Sequence, residues 1–386
     1  MAGHALPRPT GPHAVGRLAC DWIDPSREDP YGRHHGDRVV PAVIWYPAQV
    51  RPGAPTAPYL PRSWWLHGPV WGASAGRVRT HSYERAPVAV SRQGFPVLLF
   101  SPAGWAPYFY AAVLEELASH GYVVVAIAHT HEMIPYTAFA DGRRRWFSKD
   151  AVAGALSVSK RPHADDVRER GAVVDHKAAD LRFARAQLAH RGGDLVDGHL
   201  DLDRVGAFGH SFGGAAAVVA CRDDPAVAAC ANLDGGMWRA PEQATVDRPC
   251  LVVFAEHPEM TQPCSTSVEQ GMFSSVDWCE QDRALHLACW QALVDEARPG
   301  VSLRIRGAEH RTFMDWKLLP LLPWSIGRMG NASIDGRTMW EATTRSLRAL
   351  FDPHVRGAQA PSFEALASEL PAVELGTPSV LFAPTS

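Results

Sequence analysis

Phe95 to Phe100 (FPVLLF) and Tyr122 to Ile127 (YVVVAI) are continuously apolar, with none of the alternation of a half-exposed strand. That is the pattern of strands buried on both faces of a parallel sheet. Between them, Ala111 to His120 (AAVLEELASH) repeats apolar residues at helical spacing and is stopped by Gly121, so the three segments predict a strand-helix-strand unit. The alternation continues downstream. The pattern predicts a long charged helix from about Asp165 to His190, a strand at Val205 to Phe208, a helix from Phe212, and strands at Ala226 to Leu233, Cys250 to Ala255 and Val301 to Ile305. Arg38 to Tyr46 (RVVPAVIWY) reads as a further strand, moved towards a sheet edge by Pro41. Residues 47–94 read as loop-rich. Short apolar strands alternating with helices predict an α/β class, with a mostly parallel doubly wound sheet and helices on both faces. No polar linker interrupts the pattern, so residues 1–386 read as a single domain. Within it, residues 1–37 form a Pro/Gly-rich N-terminal arm, and residues 257–300 form a helical excursion carrying Met260, Met272, Trp278 and Trp290, a possible lid over the sheet.

Composition narrows the partners. A 46% hydrophobic and 20% charged chain can build a large core, and 38 basic against 41 acidic residues leave a net charge of −3. Such a balance exerts no long-range pull on nucleic acid or anionic lipid. Arg143, Arg144 and Arg145 read as a solvated turn. No run of about 18 apolar residues occurs, which excludes a transmembrane helix. Met1 to Cys20 lacks the apolar core of a signal peptide, and the expected location is cytoplasmic. The seven cysteines are scattered without a C-x-x-C pair, which argues for reduced thiols; a bridge among Cys264, Cys279 and Cys289 would require an oxidising compartment.

Candidate chemistry centres on Gly209-His210-Ser211-Phe212-Gly213-Gly214, set between a predicted apolar strand and a small-residue helix. In a G-x-S-x-G elbow the chain turns so sharply that side chains two residues before and after the serine would clash, hence Gly209 and Gly213. Ser211 is then presented at the carboxyl end of the sheet, at a helix N-terminus that favours developing negative charge. A serine hydroxyl needs a base and an acid to orient that base. His310 lies in the turn after the Val301 strand, and the acid is either Asp234, after the next strand in the sequence, or Glu256, one strand later. An oxyanion hole requires two backbone amides. Phe212 offers one; the loop Ser101-Pro102-Ala103-Gly104-Trp105 offers the other, from Trp105 or, one residue earlier, Gly104. His129, His131 and Glu132 lack a well-spaced further metal ligand and read as pocket-rim packing, so no metal is expected. Phosphate-binding glycine motifs are absent, and no cofactor is expected.

The segments FPVLLFSPAGW, LEELASHGYVVVAIAHTHE, LDLDRVGAFGHSFGGAAAVVA, ANLDGGMW, IRGAEHRTFMD and SIDGRTMWEATTRSLRALFDPHVRG occur in an order that resembles the plasma-type (group VII) platelet-activating factor acetylhydrolases and their bacterial relatives. The resemblance spans nearly the whole chain. It implies a single α/β-hydrolase fold and a metal-independent serine esterase acting through an acyl-enzyme on a small ester or lipid-like substrate. It also implies that Asp234 is the acid and His310 the base. Two features depart from the family: an extra residue in Ser101 to Gly104, where relatives often carry Ser-His-Gly, and a longer segment between Glu256 and Val301. The alternatives carried from the sequence are an acyltransferase, cyclising or amide-cleaving enzyme using the same triad, and a non-catalytic binding module; a homo-oligomer is left open.

Overall fold

In the computed structural model, residues 5–383 are described apart from 32–35, 68–77, 134, 157–160, 192–195, 197, 296–297 and 320–331. Residues 1–4 and 32–35 of the expected arm, and 296–297 of the expected excursion, therefore lie outside the described residues.

The strands are β1 (Ala14–Glu28), β2 (Asp37–Ala48), β3 (Ser82–Glu84), β4 (Phe95–Ser101), β5 (Val123–Ile127), β6 (Tyr136–Ala138), β7 (Arg144–Trp146), β8 (Leu200–His210), β9 (Val227–Leu233), β10 (Cys250–Phe254), β11 (Gly300–Ile305) and β12 (Val373–Leu375). Ten of them form one sheet in the order β12-β11-β10-β9-β8-β4-β5-β2-β1-β3, and β6 and β7 form a separate hairpin. The six strands from β5 to β11 in that order run parallel. Their alternate residues feed two cores. Leu98 and Phe100 of β4 pack with helices α1 (Ala111–Ser119) and α5 (Gly336–Phe351), whereas Val97 and Leu99 pack with α2 (His163–Arg191) and α3 (Phe212–Asp223). Burial on both faces is why these strands carry no polar alternation.

Two sequence expectations change. Residues 14–28 of the expected arm are a 15-residue strand paired antiparallel with β2. Consequently β2 is not an edge strand: it lies between β1 and β5, and pairing with β5 begins at Ala42, so the missing Pro41 amide falls just outside that ladder. Arg143, Arg144 and Arg145 are exposed, as a solvated segment should be, but Arg144 and Arg145 belong to strand β7 and the turn of the hairpin precedes them.

Residues after β10 make the helical excursion: short helices Pro258–Thr261 and Cys264–Glu269, then α4 (Val276–Leu293). A disulfide joins Cys264 to Cys279. The expectation of reduced thiols therefore fails for this pair, because two helix starts 15 residues apart in sequence bring their Cα atoms within 5.9 Å. Cys20, Cys221, Cys230, Cys250 and Cys289 are free thiols.

Candidate active site

Every chemically promising side chain sits just beyond the carboxyl end of a parallel strand. Ser211 follows β8 with φ 59° and ψ −126° and begins α3. This strained conformation is held by neighbours that leave no room to relax. A Cβ on Gly209 would lie 2.2 Å from the Gly213 carbonyl oxygen, and one on Gly213 would lie 2.0 Å from the Ser101 carbonyl oxygen. Only glycine permits that crossing of elbow and β4.

Asp234 follows β9, also at positive φ (59°). Its turn is clamped by Asn232, whose side chain accepts from the Gly235 amide and donates to the Gly235 carbonyl, both at 2.8 Å. His310 follows β11 and faces both partners: its Nδ1 is 2.6 Å from Asp234 Oδ2 and its Nε2 3.0 Å from Ser211 Oγ. The structure thus brings Ser211, His310 and Asp234 into one hydrogen-bonded line. Glu256 is left out. It is exposed and accepts the Gly307 amide at 2.8 Å, bracing the turn before His310.

Sequence reasoning missed His257. Its Nε2 lies 2.8 Å from the other Asp234 oxygen, Oδ1, and its Nδ1 lies 2.6 Å from Glu259 Oε1. The Ala255 amide also donates to Asp234 Oδ1, at 2.7 Å. Burial alone would raise the Asp234 carboxyl, but His257 and then His310 hold it well below the usual carboxylate range. Burial likewise disfavours charge on His257, yet Asp234 and then Glu259 hold it protonated well above the usual imidazole range. The signal in the sequence was a histidine next to the rejected Glu256, one position from the strand end where an acid was sought.

His210, also unremarked in the sequence, is fully buried; Tyr110 Oη lies 2.8 Å from its Nδ1, and its ring lies 4.6 Å from that of His310. Burial, then the proximity of His310, lowers its pKa to about 3, so it packs against His310 as a neutral ring. On the β4 loop, the Trp105 amide donates to the Ala103 carbonyl at 2.8 Å, while the Gly104 amide has no acceptor among the described residues. The Phe212 amide starts α3 and is one of the amides a helix leaves unpaired.

His129 and Glu132 are not rim residues. They lie in a buried charge network in which His129 bridges Ser101 Oγ (2.8 Å) and Asp180 Oδ2 (2.9 Å), Arg38 pairs with Asp180 at 2.7 Å, and Lys177 pairs with Glu132 at 2.7 Å. His131 joins the edge of this network, its Nε2 3.5 Å from Asp29, which pairs with Arg38 at 3.4 Å, and its Nδ1 2.9 Å from the Trp146 carbonyl. No cluster among the described residues could hold a metal ion, and no described helix is long and apolar enough to cross a membrane.

A cavity of about 460 Å³ opens onto Ser211 and His310. The excursion after β10 supplies one wall, including Met260, Met272, Phe273, His286 and Trp290. Trp278 is buried behind it, its indole donating to the Arg161 carbonyl at 3.2 Å.

Comparison with known proteins places this geometry in context. A family model described as platelet-activating factor acetylhydrolase, isoform II, matches residues 4–162. A probable 1-alkyl-2-acetylglycerophosphocholine esterase of Arthroderma benhamiae is 25% identical over 257 residues, which cover 60% of this chain and 59% of its own length. The platelet-activating factor acetylhydrolase of Cavia porcellus is 25% identical, over 55% of this chain and 54% of its own. The chain thus matches somewhat over half the length of these curated relatives. Among solved structures, a ferulic acid esterase from Streptomyces cinnamoneus superposes with a TM-score of 0.74 at 28% identity, covering 97% of this chain and 99% of that one. The fold is that of an α/β-hydrolase.

Proposed function

We propose that this chain, a relative of the platelet-activating factor acetylhydrolases, is a serine carboxyl-ester hydrolase. The observation that carries the reading is the continuous Ser211, His310, Asp234 line at 3.0 and 2.6 Å. In the proposed mechanism His310 Nε2 takes the proton of Ser211 Oγ as it attacks the ester carbonyl, and returns that proton to the departing alcohol. Asp234 fixes the imidazole tautomer that leaves Nε2 free to accept. The developing oxyanion is met by the Phe212 amide, aided by the α3 dipole, and by the Gly104-Trp105 turn. Gly104 is the better donor there, since the Trp105 amide is committed to Ala103. Water, activated by the same histidine, then releases the acid.

Hydrolysis is preferred to acyl transfer because the His310 side chain is 44% exposed, so water reaches the base. A cytoplasmic location fits poorly with the Cys264–Cys279 bridge, and an oxidising compartment is the reading it supports. The two substrate classes named for the relatives, an acetylated glycerophosphocholine and a ferulic acid ester, share only the ester bond.

The test is labelling by a fluorophosphonate together with turnover of p-nitrophenyl acetate. Wild-type protein should be labelled at Ser211 and should turn over, whereas Ser211→Ala should do neither above the ~10³–10⁴-fold residual that binding and an oxyanion hole provide over water. Undiminished turnover by folded Ser211→Ala would end the reading.

A further inference from the structure

The excursion after β10 does more than wall the cavity: it grips the turn that carries the triad acid. Trp290 Nε1 of α4 donates to the Gly235 carbonyl at 3.0 Å, and the His286 ring packs so closely on Gly236 that a Cβ there would lie 2.5 Å from its Cε1. His257 makes the third hold, on the acid itself. Both of its ring nitrogens face carboxylate oxygens, Nε2 that of Asp234 at 2.8 Å and Nδ1 that of Glu259 at 2.6 Å. An ionised carboxylate only accepts, and a neutral imidazole has one N–H, so both bonds form together only when the ring is an imidazolium. Asp234 also accepts the Ala255 amide at 2.7 Å and lies 2.6 Å from His310 Nδ1. A cation therefore stands on the oxygen of the triad acid that His310 leaves free.

Other groups around the ring do not supply that charge. Phe382 offers an apolar ring at 6.1 Å, and burial holds His286 below the usual imidazole range. Arg283 of α4 donates to the Glu259 and Gln262 carbonyls, and Glu256 accepts the Gly307 amide. Arg170 and Asp282, on the same cavity, pair elsewhere: Arg170 with Asp166 at 2.7 Å, Asp282 with His163 and His286 at 3.5 Å.

We propose that His257 is a positioning residue for the triad acid, a standing cation that offsets the Asp234 charge felt by His310 and so lets the base work at a lower pH than an isolated Ser-His-Asp line would. The proposal rests on His310 being the base for Ser211. An anion beside an imidazole strengthens its hold on a proton, and a cation weakens that hold. Glu259 bonds the other nitrogen of His257, one group further along the line of contacts from His310. It thus keeps His257 charged without restoring the full field that His257 offsets.

The experiment is the pH profile of kcat/KM for p-nitrophenyl acetate, whose acid limb reports protonation of the essential base in the free enzyme. In His257→Gln the side-chain amide can still donate to Asp234 Oδ1 but carries no charge, and the acid limb should move up by about one pH unit. The plateau at higher pH should change far less. A purely structural role for His257 would lower the plateau or the Tm and leave the limb in place. A second measurement needs no turnover: NMR titration of the histidine rings in Ser211→Ala protein, with and without His257→Gln, the signals assigned by their loss in His257→Gln and His310→Gln proteins. The His257 ring should stay doubly protonated above about pH 6.5, the ordinary imidazole value. The His310 ring should take up its proton at higher pH once His257 is replaced. If no ester is cleaved and Ser211 resists the fluorophosphonate, the hydrolase reading fails, while the ring titrations still judge His257. An unmoved acid limb in folded, active His257→Gln protein overturns the proposal, as does a His257 ring that carries a single proton at neutral pH.

Discussion

At the scale of single residues, Asp234 carries two jobs. One carboxylate oxygen orients His310 and the other holds His257, itself tied to Glu259. Asp234→Asn should lower kcat by a factor on the order of 10⁴ in a folded protein, the loss seen when a triad acid is neutralised and the wrong tautomer held. Glu256→Gln should change kcat little; steady-state kinetics on both variants decide between them. His257 makes a pH-dependent prediction. The depressed Asp234 pKa contributes stability above the ordinary carboxylate range, lost as pH falls through its lowered value. The raised His257 pKa contributes stability in full below about 6.5, lost as pH rises through its raised value. The Tm deficit of His257→Gln should therefore be largest between about pH 4 and 6.5 and shrink on the alkaline side. A deficit constant from acid to alkaline pH would show that the charge pair is not its source.

At the scale of elements, the excursion after β10 is what turns an exposed elbow into a cavity. Its helices cover Ser211 from one side, and the Cys264–Cys279 bridge ties the short helix Cys264–Glu269 to the first turn of α4. Closing a loop of 15 residues is worth about 3 kcal/mol on the chain-entropy model. Cys264→Ser should accordingly lower the denaturation midpoint and make the variant indifferent to dithiothreitol, whereas wild-type stability should fall on reduction. Identical unfolding curves for reduced and oxidised wild-type protein would remove the bridge from the stability of this element.

At the scale of the whole molecule, the carboxyl edge of the sheet is braced from below by the buried network of Arg38, Asp180, His129 and Ser101. Burial would raise the Asp180 carboxyl, but Arg38 and then His129 hold it far below its usual range. Because Ser101 ends β4 and starts the Gly104 loop, the network joins β2, β4, the loop after β5 and α2 beneath the proposed oxyanion turn. Asp180→Ala leaves Arg38 buried without its main partner and should cost about 3–5 kcal/mol in denaturant unfolding. A loss below 1 kcal/mol would mean that solvent or neighbouring acids take over the pairing.

The chain by itself determined the sheet's central strands, because burial on both faces demands the unbroken apolar runs of β4 and β5. It also determined the setting of Ser211, because the elbow demands Gly209 and Gly213 at fixed offsets from it. Both are local constraints, written in neighbouring residues. Order along the chain left Asp234 and Glu256 level, since each follows a strand; the resemblance favoured Asp234, and in the fold that carboxylate is the one beside His310. The tertiary structure alone supplied His257, the strand hidden in residues 14–28, the Cys264–Cys279 pairing and the buried role of His129. Each depends on residues far apart in sequence meeting in space, and pattern along one chain carries no record of such meetings.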